Sequence, residues 1–589
     1  MQPRTFWRYL AQERKAPGID KAESVLRSFS ITEKAIFAAL AAIFAVSALL
    51  LVAKVSASFT VGVPERGGEL IEGIAGTPRF INPLLAISDA DRDLTALVYS
   101  GLLKATPAGT FVPDLAEEFT VSPDGLVYSF TIKEGAKFHD DTPVTAEDVK
   151  FTVEKAKDSA LKSPRRVNWE GVAVETEGAR NVTFTLKQPY APFVSNLAMG
   201  IMPKHLWENL SADQMPFSSL NIDPVGSGPY RISAVERSRD GIPHSITLRA
   251  NRDYALGEPY ITTLRFAFYG SEKSLVEALS NGSVESASNL SPASAKAIEG
   301  KAEILSAPLT RVFGIFFNQN ENELLAHKEV RKALAESVDK ASIVEDVLLG
   351  FGTVADGPLP PTIAKEAAAS AASTSTPGLS AFLKAGWKKS PEGVYEQKGK
   401  AKGAASTTLS LSLATANVPD LVESARVIEE DWKSFGAKVD VRVFEPSDLN
   451  QGVIRPRKYD ALLFGIVIGK NSDLYPFWHS SQRNDPGLNI AMYTNAKADR
   501  YLERMRQATS TDARQSLYSD FKKEVDADTP AIFLWSPDFI YAAPKKLRGV
   551  ELGEITVSSD RFAGIEDWYI ESDRVWHAFA EGRDRIEEK

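Results

Sequence analysis

The segment Ala35–Ala53 constrains this chain most, because it runs for nineteen residues without a charge. Lys34 and Lys54 lie directly on either side of it. A helix rises about 1.5 Å per residue, so the segment would cover roughly 28 Å, close to the ~30 Å hydrocarbon thickness of a bilayer. A helix in the core of a soluble domain would present a polar face, and this one has none. The sequence therefore predicts a transmembrane helix over residues 35–54.

The charges around this helix predict its orientation. Residues 1–34 contain seven Lys or Arg, whereas the residues that follow the helix up to position 74 contain only Lys54 and Arg66. Positive charge collects on the cytoplasmic side, so we expect a cytoplasmic tail over 1–34 and a main domain outside, in the periplasm or at the cell surface. The alternative is a cleaved secretory signal, since Val55-Ser56-Ala57 has the small residues that signal peptidase prefers. The long apolar run and long leader favour an uncleaved, single-pass anchor.

Composition excludes several partners and chemistries for the rest of the chain. Residues 1–54 contain eight Lys/Arg and four Asp/Glu, so the remainder carries a net charge of −13, against −9 for the whole chain. An acidic ectodomain argues against nucleic acid as a partner. The chain contains no cysteine, which excludes disulfides, thiolate zinc sites, thiol nucleophiles and a lipid on an N-terminal cysteine.

Local patterns predict helices and strands in two lobes. Alternating apolar residues around Ser122-Pro123-Asp124-Gly125 predict a hairpin with one buried face. Thr145 and Asp148 have capping-box spacing and begin a helix over Ala146–Lys157. Beyond residue 310, strand and helix patterns alternate, with strands at Val439–Val443 and Asp460–Val467. This alternation predicts a second, α/β lobe with a largely parallel sheet.

The sequence gives no sign of catalysis. No HExxH, GxxxxGK[ST] or GxSxG motif occurs, so we predict neither enzyme activity nor a cofactor. Two groupings could in principle bind a metal, His205 with Glu208 and His139-Asp140-Asp141. Ordinary surface and turn chemistry explains both groupings better, so no metal site is predicted.

The segment Lys133–Val149, KEGAKFHDDTPVTAEDV, resembles the (R/K)xGxxFxDGxPxxAxDV stretch of the family 5 solute-binding proteins. These are the dipeptide, oligopeptide and nickel receptors of ABC importers. One departure is Asp141, where the family has glycine. Further segments match in the family's order over about residues 65–580, among them Gly101-Leu-Leu103, Pro113–Ala116, Gly226–Tyr230, Val330–Leu334, Ala385–Trp387 and Asn489–Tyr493. Each segment alone is weak evidence of the resemblance, but the ordered set is specific to the family.

The resemblance implies an α/β, two-lobed fold of the periplasmic-binding-protein type II class, with an extra subdomain in the first lobe. Ligand would bind between the lobes and be enclosed when they close about a hinge. The chain is expected to cross between the lobes near 308–313 and 536–545. The expected domains are a linker over 55–68, a first lobe over 69–308 with 546–589, an inserted subdomain over 105–205, and a second lobe over 309–545.

The resemblance also implies ligand contacts. In relatives, backbone at the positions of Ser88 and Asp89 and of Gly465–Gly469, with Val467 between, contacts the peptide. Relatives commonly have an aspartate for the peptide α-ammonium group where this chain has Gly469. The nearest acid here, Asp473, could replace it or could only cap its loop. The other expected cleft residues, each of which could instead pack in a core, are Arg311, Phe313, Trp478, Asn489 and Tyr493.

The expected function is therefore a monomeric, membrane-anchored receptor that delivers peptides, oligopeptides among them, to the permease of an ABC importer. Nickel chelates and sugars are alternative ligands, because the same architecture binds them. The alternatives from other classes are a sensor whose tail passes a signal and a surface hydrolase. Truncation before Gly62 is expected to give a soluble protein that still binds ligand.

Overall fold

The structure is a computed structural model of the chain, in which residues 28–364, 377–399, 405–469, 472–508 and 510–576 are described. The predicted cytoplasmic tail over 1–34 therefore lies mostly outside the described residues. The chain forms two compact units. One comprises the residues up to Glu65 together with those from Glu571 onward, and the other comprises Arg66–Ile570.

The smaller unit contains the predicted membrane helix. Helix α1 (Ile31–Phe59) includes the whole apolar segment, and its stretch Ile31–Ala48 is long and apolar enough to cross a membrane. The helix does not end at residue 54 but continues to Phe59. Strand β1 (Thr60–Glu65) follows at once and pairs antiparallel with a strand near the C-terminus. The linker expected over 55–68 is therefore wrong for residues 55–65, because this backbone is helical or paired with a strand about 500 residues later.

The larger unit holds the other helices and most of the strands of the described residues. Its strands are β2 (Glu69–Ala75), β3 (Leu103–Ala105), β4 (Phe111–Pro113), β5 (Ala116–Val121), β6 (Val127–Ile132), β7 (Ala173–Glu177), β8 (Asn181–Thr185), β9 (Tyr230–Arg237), β10 (Pro243–Ala250), β11 (Thr263–Tyr269), β12 (Ser286–Ser288), β13 (Glu303–Pro308), β14 (Arg311–Phe317), β15 (Gly352–Val354), β16 (Trp387–Lys389), β17 (Tyr395–Gln397), β18 (Thr407–Thr408), β19 (Ser410–Ala416), β20 (Lys438–Phe444), β21 (Ala461–Val467) and β22 (Ala531–Ala543); β23 (Glu571–Trp576) is the partner of β1 in the smaller unit. Its longer helices are α2 (Asp89–Val98), α3 (Ala146–Lys157), α4 (Glu272–Asn281), α5 (Lys328–Glu336), α6 (Pro377–Lys384), α7 (Pro419–Phe435), α8 (Ala496–Gln507) and α9 (Thr511–Asp528). Short helical turns include Arg166–Trp169, Ala191–Ala198, Lys204–Trp207, Pro292–Ala297, Ile343–Val347, Leu449–Ile454, Tyr475–Trp478 and Ser558–Asp567.

One twelve-stranded sheet runs through the larger unit in the order β20-β19-β21-β14-β22-β12-β2-β11-β10-β9, with β13 and β15 also paired to β22. Strand β19 is parallel to β20 and β21. Strand β14, however, is antiparallel to both β21 and β22. The second lobe therefore has a mixed sheet and not the largely parallel one expected. The reason is that β14 and β22 enter it directly from the first lobe, without the helical crossover that a parallel neighbour requires.

Two hydrophobic cores define the two lobes. The first core includes residues of β2, β10, β11 and α2, and the second includes residues of β14, β19, β21, α7 and α9. The chain passes from the first to the second between Leu309 and Val312. It returns within β22, where Trp535 belongs to the second core and Phe539 to the first. Residues 539–543 thus pack with the first lobe, although the predicted second lobe extends to 545.

A separate antiparallel sheet, β5-β6-β8-β7, lies within the predicted inserted subdomain. Its first two strands form the predicted hairpin, in which Asp124 accepts the N–H of Leu126 at 3.1 Å. The predicted capping box is also present, because the carboxylate of Asp148 accepts the N–H of Thr145 at 2.8 Å and α3 follows. Phe130 and Phe184 on this sheet belong to the first core, so the subdomain and the first lobe share one continuous interior.

A fully buried charge cluster, Glu72–Asp93–Arg561, fixes the segment after β22 to the first lobe. The Arg561 guanidinium donates to Glu72 on β2 and, at 2.7 Å, to Asp93 on α2. Ser558 donates to the other oxygen of Asp93 at 2.7 Å. Burial raises the pKa of both carboxyls, and the Arg561 charge opposes that rise. Helix α2 is therefore held rigidly against β2.

Candidate ligand-binding site between the lobes

A cavity of about 1200 Å³ is lined by residues of both lobes. The first lobe supplies residues from α2, from the segments 99–105 and 164–172 (without Arg166), from the turn 190–200 and from 556–565. The second lobe supplies Gly469, Asp473, Pro476 and Arg506. Pockets for drug-sized ligands usually measure roughly 300–1,000 Å³. This cavity is large enough for a ligand of several residues.

Helix α2 contributes Arg92, Thr95 and Ala96 to the first-lobe wall, and the predicted residues Ser88 and Asp89 lie at its start. Ser88 caps the helix by accepting the N–H of Asp91 at 3.1 Å. The Asp91 carboxylate in turn accepts the N–H groups of Arg79 and Phe80, at 2.7 and 2.8 Å. Asp89 accepts the side-chain amide of Asn289 at 3.0 Å. The Ser88 and Asp89 side chains are thus engaged in the helix start, and ligand contact with their backbone stays a prediction.

Strands β14 and β21 bring four predicted residues together as register neighbours, Phe313 opposite Gly465 and Arg311 opposite Val467. The Phe313 ring stacks on Trp535, with 5.2 Å between ring centroids. A Cβ at position 465 would lie 2.6 Å from this ring, so the glycine makes room for it. Val467 is exposed at the end of its strand.

Arg311 connects this strand pair electrostatically to the start of α2. Its Nε is buried without a hydrogen-bond partner among the described residues. Burial lowers the pKa of its guanidinium, and the negative charge of Asp89 opposes that shift. The predicted pair Asp89 and Arg311, from opposite lobes, therefore lie within electrostatic reach of each other.

Asp473 lines the cavity but already has a strong partner. The Arg506 guanidinium donates to its two carboxylate oxygens, with Nη2 at 2.7 Å from Oδ2 and Nε at 3.1 Å from each oxygen. The N–H of Tyr475 adds a bond of 3.1 Å, and the Tyr190 hydroxyl donates at 3.5 Å. A ligand ammonium would therefore compete with Arg506 for this carboxylate. Gly469, which has φ +76°, shapes the loop before it and also lines the cavity.

Of the predicted contacts, only Gly469 and Asp473 line this cavity. The lining does not include Ser88, Asp89, Arg311, Phe313, Gly465 or Val467, nor does it include Trp478, Asn489 and Tyr493. Trp478 is buried against Phe316 and Phe533 in the second core. The Asn489 amide donates to the carbonyls of Trp478 and His479 and of Tyr493, at 3.0–3.2 Å. The Tyr493 hydroxyl donates to Asp528 at 2.9 Å. For these three the structure corrects the cleft prediction, because they hold a core loop in place.

Sequence reasoning missed Arg92, Arg165, Tyr190 and Arg506 in the cavity wall. None lies in a motif, since isolated arginines and tyrosines are ordinary surface residues in a linear sequence. The wall also contains the buried Asp114, and burial raises the pKa of this carboxyl to about 6, against the opposing hydrogen bond of Ser100 and the charge of Lys104. Only the fold shows that these residues face one space.

The histidine clusters considered for metal binding have other partners. His139 receives the N–H of Gly226 at Nδ1, 3.3 Å away, and its Nε2 lies 3.1 Å from the carbonyl of Gly228. Burial lowers the pKa of this imidazole to about 4. His205 pairs with Asp140 at 2.8 Å. Among the residues described, no group of three or more His, Asp or Glu side chains could hold a metal ion.

Comparison with known proteins extends these findings. Oligopeptide-binding protein AppA of Bacillus subtilis is 29% identical over 506 residues, which cover 84% of this chain and 91% of AppA. The probable D,D-dipeptide-binding periplasmic protein DdpA of Escherichia coli is 26% identical over 501 residues, covering 82% and 90%.

Solved structures show the same fold. AppA of Bacillus subtilis in complex with a nonapeptide superposes with a TM-score of 0.66 at 28% identity, covering 86% of this chain and all of AppA. NikZ of Campylobacter jejuni in complex with Ni(L-His) has a TM-score of 0.66 at 26% identity, covering 85% and 99%. The model of the family "Bacterial extracellular solute-binding proteins, family 5 Middle" matches residues 110–486. This chain therefore belongs to the family 5 bacterial extracellular solute-binding proteins.

Proposed function

We propose that this chain is a single-pass membrane-anchored receptor that binds peptides between its lobes and delivers them to the permease of an ABC importer. The observation that carries the proposal is the large cavity lined by both lobes, in a chain similar to AppA over most of its length. The expected domain boundaries, with the crossover corrected to residues 536–538, are part of this proposal.

Binding without catalysis fits this geometry. A peptide can pair its backbone with the chain while its side chains occupy a wide, wet space, which gives affinity with little regard to sequence. Among the predicted contacts, we keep as proposed ligand contacts the backbone at Ser88, Asp89, Gly465, Val467 and Gly469 and the side chains of Arg311 and Phe313. Asp473 joins them only if a ligand displaces Arg506.

Closure of the lobes would use the contact between Tyr190 and the Asp473–Arg506 pair. The Arg506 guanidinium carbon lies 3.9 Å from the Tyr475 ring centroid and 5.7 Å from that of Tyr190. Tyr190 belongs to the first lobe, and the other three belong to the second. Burial and the charge of Asp473 raise the pKa of Tyr190 to about 12, so its hydroxyl stays a donor. A ligand that favours the form with this contact would shift the population towards closure.

A peptide-capture experiment tests the proposal. The full chain in lipid nanodiscs would be incubated with a pool of random nonapeptides, and native mass spectrometry would identify what is retained. Ala96 is exposed on α2 and lines the cavity, so Ala96→Trp should abolish capture by filling the space. Ala513→Trp, at an exposed position on α9 outside the cavity, should leave capture unchanged. Ni(L-His) would be offered in a parallel incubation, and its capture without capture of peptides would favour the nickel-chelate alternative. Release of cleaved peptides would favour the hydrolase.

The anchor topology can be tested cleanly because the native chain has no cysteine. Ser28→Cys and Ser572→Cys would place one thiol before α1 and one in β23. A membrane-impermeant maleimide should label only Ser572→Cys in intact spheroplasts and both variants after lysis. Recovery of Ser572→Cys in the soluble fraction would show instead that the helix is a cleaved signal.

A further inference from the structure

We propose that Arg92 and Arg165 form a subsite for a carboxylate of the ligand at the first-lobe wall of the cavity. The inference rests on the proposed peptide-binding function and specifies which ligands it selects. Both side chains line the cavity, one from α2 and one from the turn before Arg166–Trp169.

Arg165 is presented from a fixed backbone. The Ser163 hydroxyl donates to the carbonyl of Leu84 at 2.7 Å and accepts the N–H of Arg165 at 3.1 Å. The N–H of Leu84 in turn donates to the side-chain oxygen of Asn82 at 2.9 Å, and Asn82 is fully buried. The turn that carries Arg165 is thereby tied to the first core.

The backbone that carries Arg92 is also held in place. It lies between Asp91, which caps the helix start, and Asp93, which belongs to the buried cluster with Arg561. Its guanidinium has one loose ion pair, 3.8 Å to Asp89, whose carboxylate is also bound by Asn289. Because the guanidinium is planar and its donors are fixed relative to one another, an arginine loses less conformational entropy per hydrogen bond to an anion than a lysine would.

The charges of this wall favour an anion. Among the other charged residues that line the cavity, Lys104 is paired with Glu566 and Arg506 with Asp473. Asp114 is buried, and burial raises the pKa of its carboxyl to about 6. Asp560 is occupied in accepting the N–H groups of Thr556 and Val557, at 2.8 and 3.0 Å. Glu170 and Lys187 add one charge of each sign.

Arg165, by contrast, has no side-chain hydrogen bond or ion pair with any residue that the structure describes. The residue is exposed, but the surrounding protein desolvates its guanidinium. This desolvation and the positive charge of Arg92 lower the pKa of the guanidinium, against the opposing charge of Asp560. A carboxylate placed here would relieve that repulsion. It would also accept paired N–H donors in the planar geometry that arginine provides.

A peptide can supply this carboxylate from its C-terminus or from an acidic side chain. Three pools of random nonapeptides distinguish the two sources, namely a free-acid pool without Asp or Glu, the same pool amidated, and an amidated pool with one Glu. Each would be offered to the full chain in nanodiscs, and Kd would be measured for the best-retained peptide of each pool. The variants are Arg165→Gln and Arg92→Gln, with Arg166→Gln as the control, because Arg166 is exposed and does not line the cavity.

We expect amidation to weaken binding at least tenfold in the wild type and in Arg166→Gln, and less than twofold in Arg165→Gln and Arg92→Gln. Rescue of the amidated peptides by one Glu would assign the subsite to acidic side chains, and failure of that rescue would assign it to the C-terminus. Equal binding of all three pools by the wild type would overturn the subsite and leave the peptide receptor intact. Binding of none of the pools would overturn both.

Discussion

Two arginine–carboxylate assemblies in this molecule use the same groups in opposite surroundings. The cluster of Arg561 with Glu72 and Asp93 is completely enclosed, with side-chain exposures of 0–2%. The pair of Arg506 and Asp473 lies in the cavity wall, with exposures of 29% and 9%. The enclosed cluster joins three segments that must never separate. The wall pair instead meets a tyrosine from the other lobe, and that contact must form and break if the lobes move. Burial thus decides whether an ion pair fixes the fold or can serve a motion.

The largest effect is expected from Arg561→Met. It leaves two carboxyls enclosed without their counter-charge, which should lower the free energy of unfolding by about 3–5 kcal/mol. Pulse proteolysis of the detergent-solubilised chain in urea measures that change. Arg442→Met removes an exposed partner of Asp440 and should cost no more than about 0.5 kcal/mol. If the two variants lose the same free energy of unfolding, enclosed and exposed ion pairs contribute equally to stability, and the prediction is wrong.

A pH titration adds a half-buried group that forms no ion pair with the residues described in the structure, His139. Its pKa is about 4 in the folded chain, against 6.5 for an ordinary imidazole. The unfolded chain therefore binds a proton first as pH falls, and stability is lost between about pH 6.5 and pH 4, by at most about 3 kcal/mol. His139→Gln, whose amide can replace both hydrogen bonds, should flatten the curve in this window. Identical curves for the wild type and His139→Gln would refute this assignment.

A smaller effect is expected from Arg506→Gln at the wall. Asp473 keeps the N–H of Tyr475 and has access to cavity water, so the free energy of unfolding should fall by only about 1 kcal/mol. The same proteolysis assay measures it. A loss comparable to that of Arg561→Met would mean that the wall pair is part of the permanent fold.

The smallest effect is expected from Glu72→Gln, which removes the excess negative charge of the enclosed cluster. The amide oxygen can still accept from Arg561, so stability at pH 7 should change by less than about 1 kcal/mol. Burial raises the pKa of Glu72 in the folded chain, so the wild type loses stability as pH rises through that raised value, and the variant does not. The free energy of unfolding of the variant, relative to that of the wild type, should therefore be higher at pH 7 than at pH 5. The reverse order in urea denaturation would show that the glutamate is fully charged in the fold.

Local features of the fold could be predicted from sequence because they depend on neighbouring residues. The box of Thr145 and Asp148 and the turn at Ser122–Gly125 form as expected, since their hydrogen bonds join residues two to five apart. The direction of β14 and the pairing of β1 with β23 could not be predicted in this way. Both depend on segments hundreds of residues apart, and no pattern within either segment specifies the partner.

The cavity wall divides in the same manner. Among the predicted contacts, Phe313 and Gly465, which do not line the cavity, meet across two strands, because alternation and family resemblance fix those positions. Asn489 and Tyr493 lie in a matched segment, and the sequence predicts Trp478 in the cleft with them. A tryptophan and a tyrosine suit a core as well as a cleft, and here all three residues are buried in the core. That Arg92, Arg165 and Arg506 line a cavity could not be predicted, because only the folded chain brings them to one space.

The ribbon of β1 and β23 has a practical consequence for making a soluble form of the receptor. The register joins Thr60 to Trp576 and Glu65 to Glu571, so a chain that starts at Gly62 would keep β23 while shortening its partner. A strand left with a bare edge invites pairing between molecules. Expression limits at Arg66 and Ile570 would discard both strands together and avoid that edge.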